Sequence, residues 1–291
     1  VNPVLRVASD LERIAARLTA ADLRAVDDDD DDMFAARQAP AFVDVYTEAG
    51  LMRALNEYGV VADLKARGLG DFEVHITRDD GFRHRLVITL PDGSRVLDLR
   101  VHLQERPLVG GDEVAVVVID WLTMQNPRLS FSAERPRLPG QEHPGTGMGR
   151  KVQELLVLLC RRLGRDALVS VPERFHLAVL YRKIGFVAVN AADSTGVEAA
   201  LVAGVQAGLS LTQLAWAVER GFVVDAAGAK WAYTPHTLVC PVSGRLQRAA
   251  RAMLSSAPGA NGAAGLTLRV DLDGLRASLC SDPVDGVEMI R

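Results

Sequence analysis

The stretch that most constrains this chain is Val114-Ala115-Val116-Val117-Val118-Ile119, six apolar residues in a row, five of them β-branched. The run lacks the alternation of a half-solvated strand and is too short for a helix. It therefore predicts a β-strand covered on both faces. Such a strand needs a sheet with a packed layer on each side. The chain can supply one: of its 291 residues 48% are hydrophobic and 24% charged, which suits a globular core and not a disordered polymer.

The neighbouring segments fill in that architecture. Val4, Val7, Leu11, Ile14 and Leu18 make one apolar stripe, predicting helix over residues 4–26. Ser9-x-x-Glu12 and Thr19-x-x-Asp22 each fit a capping box, so one helix and two helices both stand open. A second helix is expected over residues 45–67, with Leu51, Leu55, Val60 and Leu64 on one side and Gly68 and Gly70 closing it. Short β runs follow at residues 72–77, 85–90, 95–104 and 113–124, with Pro91-Asp92-Gly93 as a hairpin signal. Residues 125–145 form a loop punctuated by Pro127, Pro136, Pro139 and Pro144. An amphipathic helix (150–163), a strand (167–171), a short helix (175–183) and a strand (185–189) come next. Beyond Asn190 the composition shifts to Ala, Gly and Val. There a helix (210–220), a hairpin (222–225 with 230–233), a strand (237–242), a helix (245–254), a loop (255–265) and a last strand (266–272) are expected.

Charge excludes some functions. The net charge of −4 rests on six consecutive aspartates, Asp27 to Asp32; without them the chain is slightly basic. Six adjacent like charges predict a solvated loop. A divalent-cation site is the sharper alternative, but no glycine turn spaces the carboxylates, and no metal is expected. Residues 211–221 resemble the opening of a helix-turn-helix. The chain from 184 onward nevertheless carries eight basic against nine acidic residues, so no nucleic-acid partner is expected. Cys160, Cys240 and Cys280 give no disulfide framework. Arg6, Asp10, Glu12 and Arg13 interrupt any signal-peptide core. The longest uncharged stretch, 199–218, contains Gln206, Ser210, Thr212 and Gln213 and reads as soluble helix. A cytoplasmic protein with no membrane partner is the expectation.

Gly145-Thr146-Gly147-Met148-Gly149-Arg150 opens the helix at 150. Successive glycines let backbone N–H groups approach an anion, and a helix N-terminus adds partial positive charge. A flexible turn before a helix is the bland alternative. The segment fits neither a Rossmann fingerprint, which follows a strand directly, nor a P-loop, which needs Gly-Lys-Ser/Thr.

Downstream stands Leu180-Tyr181-Arg182-Lys183-Ile184-Gly185-Phe186. Together the two motifs, with one helix and one strand between them, resemble the GNAT superfamily of coenzyme A-dependent N-acyltransferases. The resemblance spans residues 114–190 and extends less specifically over 45–113. It implies an α/β (α+β) fold with a mixed, mostly antiparallel central sheet flanked by helices. It divides the chain into an N-terminal helical segment with the acidic loop (1–40), an acyl-coenzyme A-binding domain (41–190) and a C-terminal α+β extension (191–291). It implies that Gly145, Thr146, Gly147, Met148, Gly149 and Arg150 hold the pyrophosphate of acetyl-coenzyme A or another acyl-coenzyme A. Tyr181 becomes the general acid for the leaving thiolate, with an ordinary core tyrosine as the alternative. Asp120, Glu142 and His143 are the candidate bases that deprotonate a small-molecule or protein amine. A catalytically inactive acyl-coenzyme A sensor or interaction module is the second reading, and homo-oligomerisation stays open.

The chain departs from the family pattern in three places. Pro144 stands where the family has Arg or Gln, Arg174 occupies the position of a frequent Asn, and 125–142 is inserted before the glycines. From Arg150 to Lys183 eight basic residues face three acidic ones, an excess that suits a polyphosphate or simply a solvated helix face.

Overall fold

The computed structural model describes residues 7–24, 41–108, 113–256 and 266–287. The aspartate run and most of the 255–265 loop lie outside them.

The N-terminal stripe forms two helices, α1 (Ser9–Arg17) and α2 (Ala20–Leu23). Thr19 and Asp22 make the reciprocal capping box that starts α2. The Ser9-x-x-Glu12 box does not form, because Ala8 takes the cap position. Glu12 instead reaches 2.8 Å across to Arg161. The expected helix over 45–67 divides into α3 (Glu48–Glu57) and α4 (Val60–Ala66). The break is Gly59, whose φ of +70° costs a residue without Cβ little. Leu51, Leu55, Val60 and Leu64 are buried together, as their stripe requires.

Four strands follow as an antiparallel meander: β1 (Glu73–Asp79), β2 (Arg83–Thr89), β3 (Arg95–Pro107) and β4 (Glu113–Met124). Pro91-Asp92-Gly93 turns the chain between β2 and β3, with Leu90 and Ser94 bonded across it. Helix α5 (Gly149–Arg162) then crosses over to β5 (Ala167–Ser170), which is parallel to β4. Helix α6 (Phe175–Lys183) leads to a strand of two residues, β6 (Val187–Ala188), shorter than expected.

The C-terminal third contributes in two ways. Helices α7 (Ala191–Gln206) and α8 (Leu211–Glu219), bent 120° to each other, pack Ala200, Ala203, Leu214 and Ala217 into a separate small core. Strand β7 (Val223–Asp225) belongs to this unit, and β8 (Leu238–Pro241) does not. β8 lies in the central sheet between β5 and β6, antiparallel to both. Helix α9 (Gly244–Ser256) follows, then β9 (Leu268–Val270) and α10 (Leu272–Ser281). The hairpin expected at 222–233 is only partly made: the turn forms, but β7 takes β9 as its strand partner. A single bridge joins Val224 to Lys230.

The result is a mixed α+β fold on a mostly antiparallel seven-stranded sheet, order β1-β2-β3-β4-β5-β8-β6, flanked by helices. Alternate residues point to opposite faces. Val74, Ile76, Leu86, Leu99, Val117 and Ile119 point into the main core with α3, α4 and α5. Val116, Ala167, Val169 and Val239 point the other way, against Leu246 of α9. The run at 114–119 is thus covered on both faces. The second face of β1–β3 is different: it exposes Glu73, His75 and Thr77 and carries half-buried Arg85, Arg100 and His102. Among the described residues no single helix is long and apolar enough to cross a membrane.

Gly50, in the first turn of α3, allows a close approach. A Cβ there would fall 2.0 Å from the Leu23 carbonyl oxygen, which accepts from the Thr47 N–H. Alanine gains about 1 kcal/mol of helix propensity over glycine, far less than a backbone collision costs. Gly50→Ala is therefore expected to destabilise the chain by about 2 kcal/mol or more, measured as a lower thermal midpoint by circular dichroism.

Candidate functional site

The glycine cluster is built as a strip with two sides. Pro144, Thr146 and Met148 are buried, while Gly145, Gly147 and Gly149 alternate with them and face outward. A Cβ at Gly147 or Gly149 would meet nothing within 4 Å, so open space lies in front of the strip. Gly147 has φ of +75°, a conformation that suits only glycine without strain. The strip is fixed from behind. The Asn126 N–H donates to the Pro144 carbonyl at 2.7 Å, and Arg67 Nε donates to that of Thr146 at 2.8 Å. Met148 caps α5 with no side-chain bond, and the first turn contains no acidic residue. Its first N–H groups have no helical acceptor and favour an anion.

A second feature lies beside it. β4 and β5 pair over four residues only, ending at Ile119 and Ser170. At the next residue β4 bulges: Val101 faces Ile119 and Arg100 faces Trp121, leaving Asp120 as the extra residue. A bulge bends and twists its strand, which turns β4 away from β5. Beyond it residues 120–124 have β3 on one edge and, among the described residues, no strand on the other. The far end is closed where Gln125 bridges Gly145. Between these two ends the sheet forks, and Trp121 and Val171, the residues just past the last pair on each arm, are 45% and 46% exposed.

Tyr181 stands on the helical side of the fork. It packs edge-on against Phe186, ring centroids 4.8 Å apart, with Ser170 and Gln153 beside its hydroxyl. Burial pushes the phenol pKa up, while Ser170 and Gln153 pull less strongly the other way. Tyr181 therefore keeps its proton at neutral pH. Gln153 is buried on α5, and its Oε1 has no hydrogen-bond partner.

Asp120 stands on the opposite, open face. Its carboxylate is 2.7 Å from His102 Nδ1 and 3.7 Å from Arg83 Nε. This bond orients the His102 ring. Phe82 packs edge-on against that ring at 5.9 Å. His102 carried no motif in the sequence. The signal for it was the alternation Asp98, Arg100, His102, three polar side chains on one face of an otherwise apolar strand.

The other candidates are placed elsewhere. Glu142 is exposed and His143 half-buried on the 125–145 loop, and neither bonds to Tyr181, Asp120 or His102. That loop docks on the C-terminal unit: Trp216 Nε1 donates to the Arg137 carbonyl at 2.7 Å, and Arg137 N to that of Asp285 at 3.0 Å. Arg174 packs over Gly140 and pairs with Glu219, a structural role. His176 is buried in α6, where desolvation and then the Arg174 charge lower its pKa to about 4. Arg150 is exposed near the strip but bonded to Glu154 at 2.9 Å. The basic excess of 150–183 is largely paired. Lys151 meets Asp63, Arg161 meets Glu12 and Arg182 meets Glu198, while Arg162 caps the carbonyls of Ala15 and Leu18. Charge counted along the chain therefore overstated the positive field at the glycines.

No family model matches the chain, and no curated protein is significantly similar to it. Among the described residues no cluster of three or more His, Cys, Asp or Glu is arranged to hold a metal ion.

Asp98 supplies a pH test of the open face. Burial opposes its ionisation, but hydrogen bonds and charge from Arg85 and Arg100 prevail and hold its pKa below the usual carboxylate range. A carboxyl depressed in the folded state stabilises above its unfolded pKa and loses that contribution as pH falls through the folded value. Thermal midpoints followed from pH 6 down to pH 2 should drop below about pH 4. Asp98→Asn should flatten that acid limb and lower the midpoint at pH 7.

Proposed function

We propose that this protein is a coenzyme A-dependent N-acyltransferase, moving an acetyl or other acyl group to an amine. The observation that carries the reading is the fork. One bulge at Asp120 leaves a proton donor on one side of the opening, an oriented histidine on the other, and an anion-ready glycine strip at its end. The combined pattern of glycine strip and tyrosine motif, which resembles the GNAT superfamily, supports the same reading.

The residues fit the coenzyme on structural grounds. The open space before Gly147 and Gly149 and the uncapped start of α5 suit a pyrophosphate, with Gly145, Thr146, Met148 and Arg150 in the same turn. The unpaired edge of residues 120–124 suits the amides of the coenzyme's extended arm. Coenzyme A supplies the activated thioester. His102 Nε2, with Nδ1 engaged by Asp120, takes the proton from the attacking amine. Tyr181 gives its phenolic proton to the sulfur as the carbon–sulfur bond breaks and the carbon–nitrogen bond forms. Glu142 and His143 are the alternative bases, on the loop that leads into the glycine strip.

A non-catalytic acyl-coenzyme A sensor is the second reading, favoured by Pro144, which lacks an N–H at the start of the strip. A cytoplasmic setting, with neither nucleic acid nor membrane as partner, remains part of the proposal; no disulfide joins the three cysteines.

Calorimetry with acetyl-coenzyme A is the first test, and absence of binding at millimolar ligand overturns both readings. Gly147→Val should abolish binding with the thermal midpoint checking the fold. Tyr181→Phe should preserve binding and lower kcat by about 10- to 100-fold. Binding without turnover over a broad amine panel would select the sensor.

A further inference from the structure

The open face beside the fork carries positive charge that proton transfer does not use. Asp98, its side chain 4% exposed, collects three guanidinium groups: Arg85 at 2.8 Å, Arg95 at 3.1 Å and Arg100 at 3.4 Å. They come from three places, mid-β2, the start of β3 and mid-β3, and converge on the same face. One carboxylate balances one of these charges, and among the described residues no other carboxylate forms an ion pair with the three. A carboxylate has about four acceptor sites, whereas three guanidinium groups offer about fifteen donors. Five guanidinium nitrogens bond to Asp98, two from Arg85, one from Arg95 and two from Arg100, and most of the donors are not used by it. Arg95 and Arg100 are 57% and 39% exposed.

The position of the patch gives it a use. Arg100 is the register partner of Trp121, whose indole is exposed at the fork. His102 lies two residues further along β3 on the same face, about 7 Å from Arg100. A hydrogen-bonded base, an exposed aromatic ring and a surplus of guanidinium donors therefore run in sequence along one strand pair.

We propose that the arginine cluster around Asp98 is an oxyanion subsite. It selects a small amine bearing a carboxylate or phosphate roughly 7–13 Å from its nitrogen, the strand spacing from His102 to Arg100 and to Asp98. Asp98 holds the guanidinium groups in place, and their remaining donors take the oxyanion in the forked geometry Arg favours. Trp121 covers the apolar spacer between the two ends. The local surplus of two charges, with Asp79, Asp80 and Glu73 on or next to the same sheet, suits one oxyanion and not a polyanion. The amine end of this inference rests on the acyl-transfer reading; the oxyanion end rests on the arginines alone.

The test uses the intact chain and three probes of equal spacer: 6-aminohexanoate, 6-aminohexyl phosphate and 1-aminohexane. Binding is read from Trp121 fluorescence, with Trp121→Phe as the optical control, and turnover from acetyl-coenzyme A consumption. The two anionic amines should bind at least about tenfold more tightly than 1-aminohexane, the effect of one charge-assisted hydrogen bond. Whichever of carboxylate and phosphate binds better identifies the oxyanion. Arg95→Gln and Arg100→Gln together should erase the difference by raising KM more than they lower kcat. Equal binding of all three amines overturns the subsite, as does a preference that survives both substitutions. The probe series on the unaltered chain decides alone if the variants do not fold. Tight binding of the anionic amines without acylation sustains the subsite and counts against acyl transfer. Indiscriminate acylation does the reverse.

Discussion

One residue too many in β4 organises the molecule around its site. Parallel pairing with β5 could run the length of β4, and then no backbone group near Tyr181 would be open to a ligand. Asp120 interrupts it. The bulge ends the pairing at Ile119 and Ser170 and leaves five residues of β4 with a bare edge. Its other consequence is directional. Asp120 is placed beside His102 on the sheet's open face, while Ile119 and Ser170 stay beneath α5 and α6. Tyr181 and the His102–Asp120 pair are thereby held on opposite faces of one sheet.

The helical layer keeps that opening rigid through ion pairs that link distant parts of the chain. Arg161 and Arg162 of α5 hold α1, and Lys151 holds α4 through Asp63. Such contacts between partly exposed groups are each worth little in stability. Their effect here is positional: α5 is clamped at its start by Lys151 and at its end by Arg161 and Arg162, so the glycine strip is carried on an anchored helix. An anion would meet oriented N–H groups and not a field of loose lysines.

Much of the fold was legible because its elements are locally consistent. The apolar run at 114–119, the stripes of α3 to α5, the turn at Pro91-Asp92-Gly93 and the exact span of α6 all follow from periodicity and turn chemistry. The box at Ser9 failed because the helix starts one residue early, with Ala8 at the cap, and Glu12 pairs with Arg161 far along the chain. The helix at 45–67 broke at Gly59, a residue the stripe of leucines concealed. The hairpin at 222–233 lost its second strand to β9, again a distant competitor. Of the candidate site, the glycine strip and Tyr181 were marked by local pattern. His102 was not, because its meaning depends on which strand lies beside β3 and where that strand bulges. Pairing across strands leaves no trace within a short window of sequence.

The place of β8 bears on how this protein is made. β6 has only two residues and one neighbour, and that neighbour is β8, which leaves the ribosome some fifty residues later. Until then β5 has an open edge and the motif-bearing half of the sheet cannot close. The segment carrying α7 and α8 must be threaded out between these two strands, and its own small core closes later still, because Leu268, Leu275 and Leu279 belong to it. The long delay between partners makes this a slow, high-contact-order closure. A nascent chain halted just after Phe186 would carry both sequence motifs and still lack the strand that holds its sheet together.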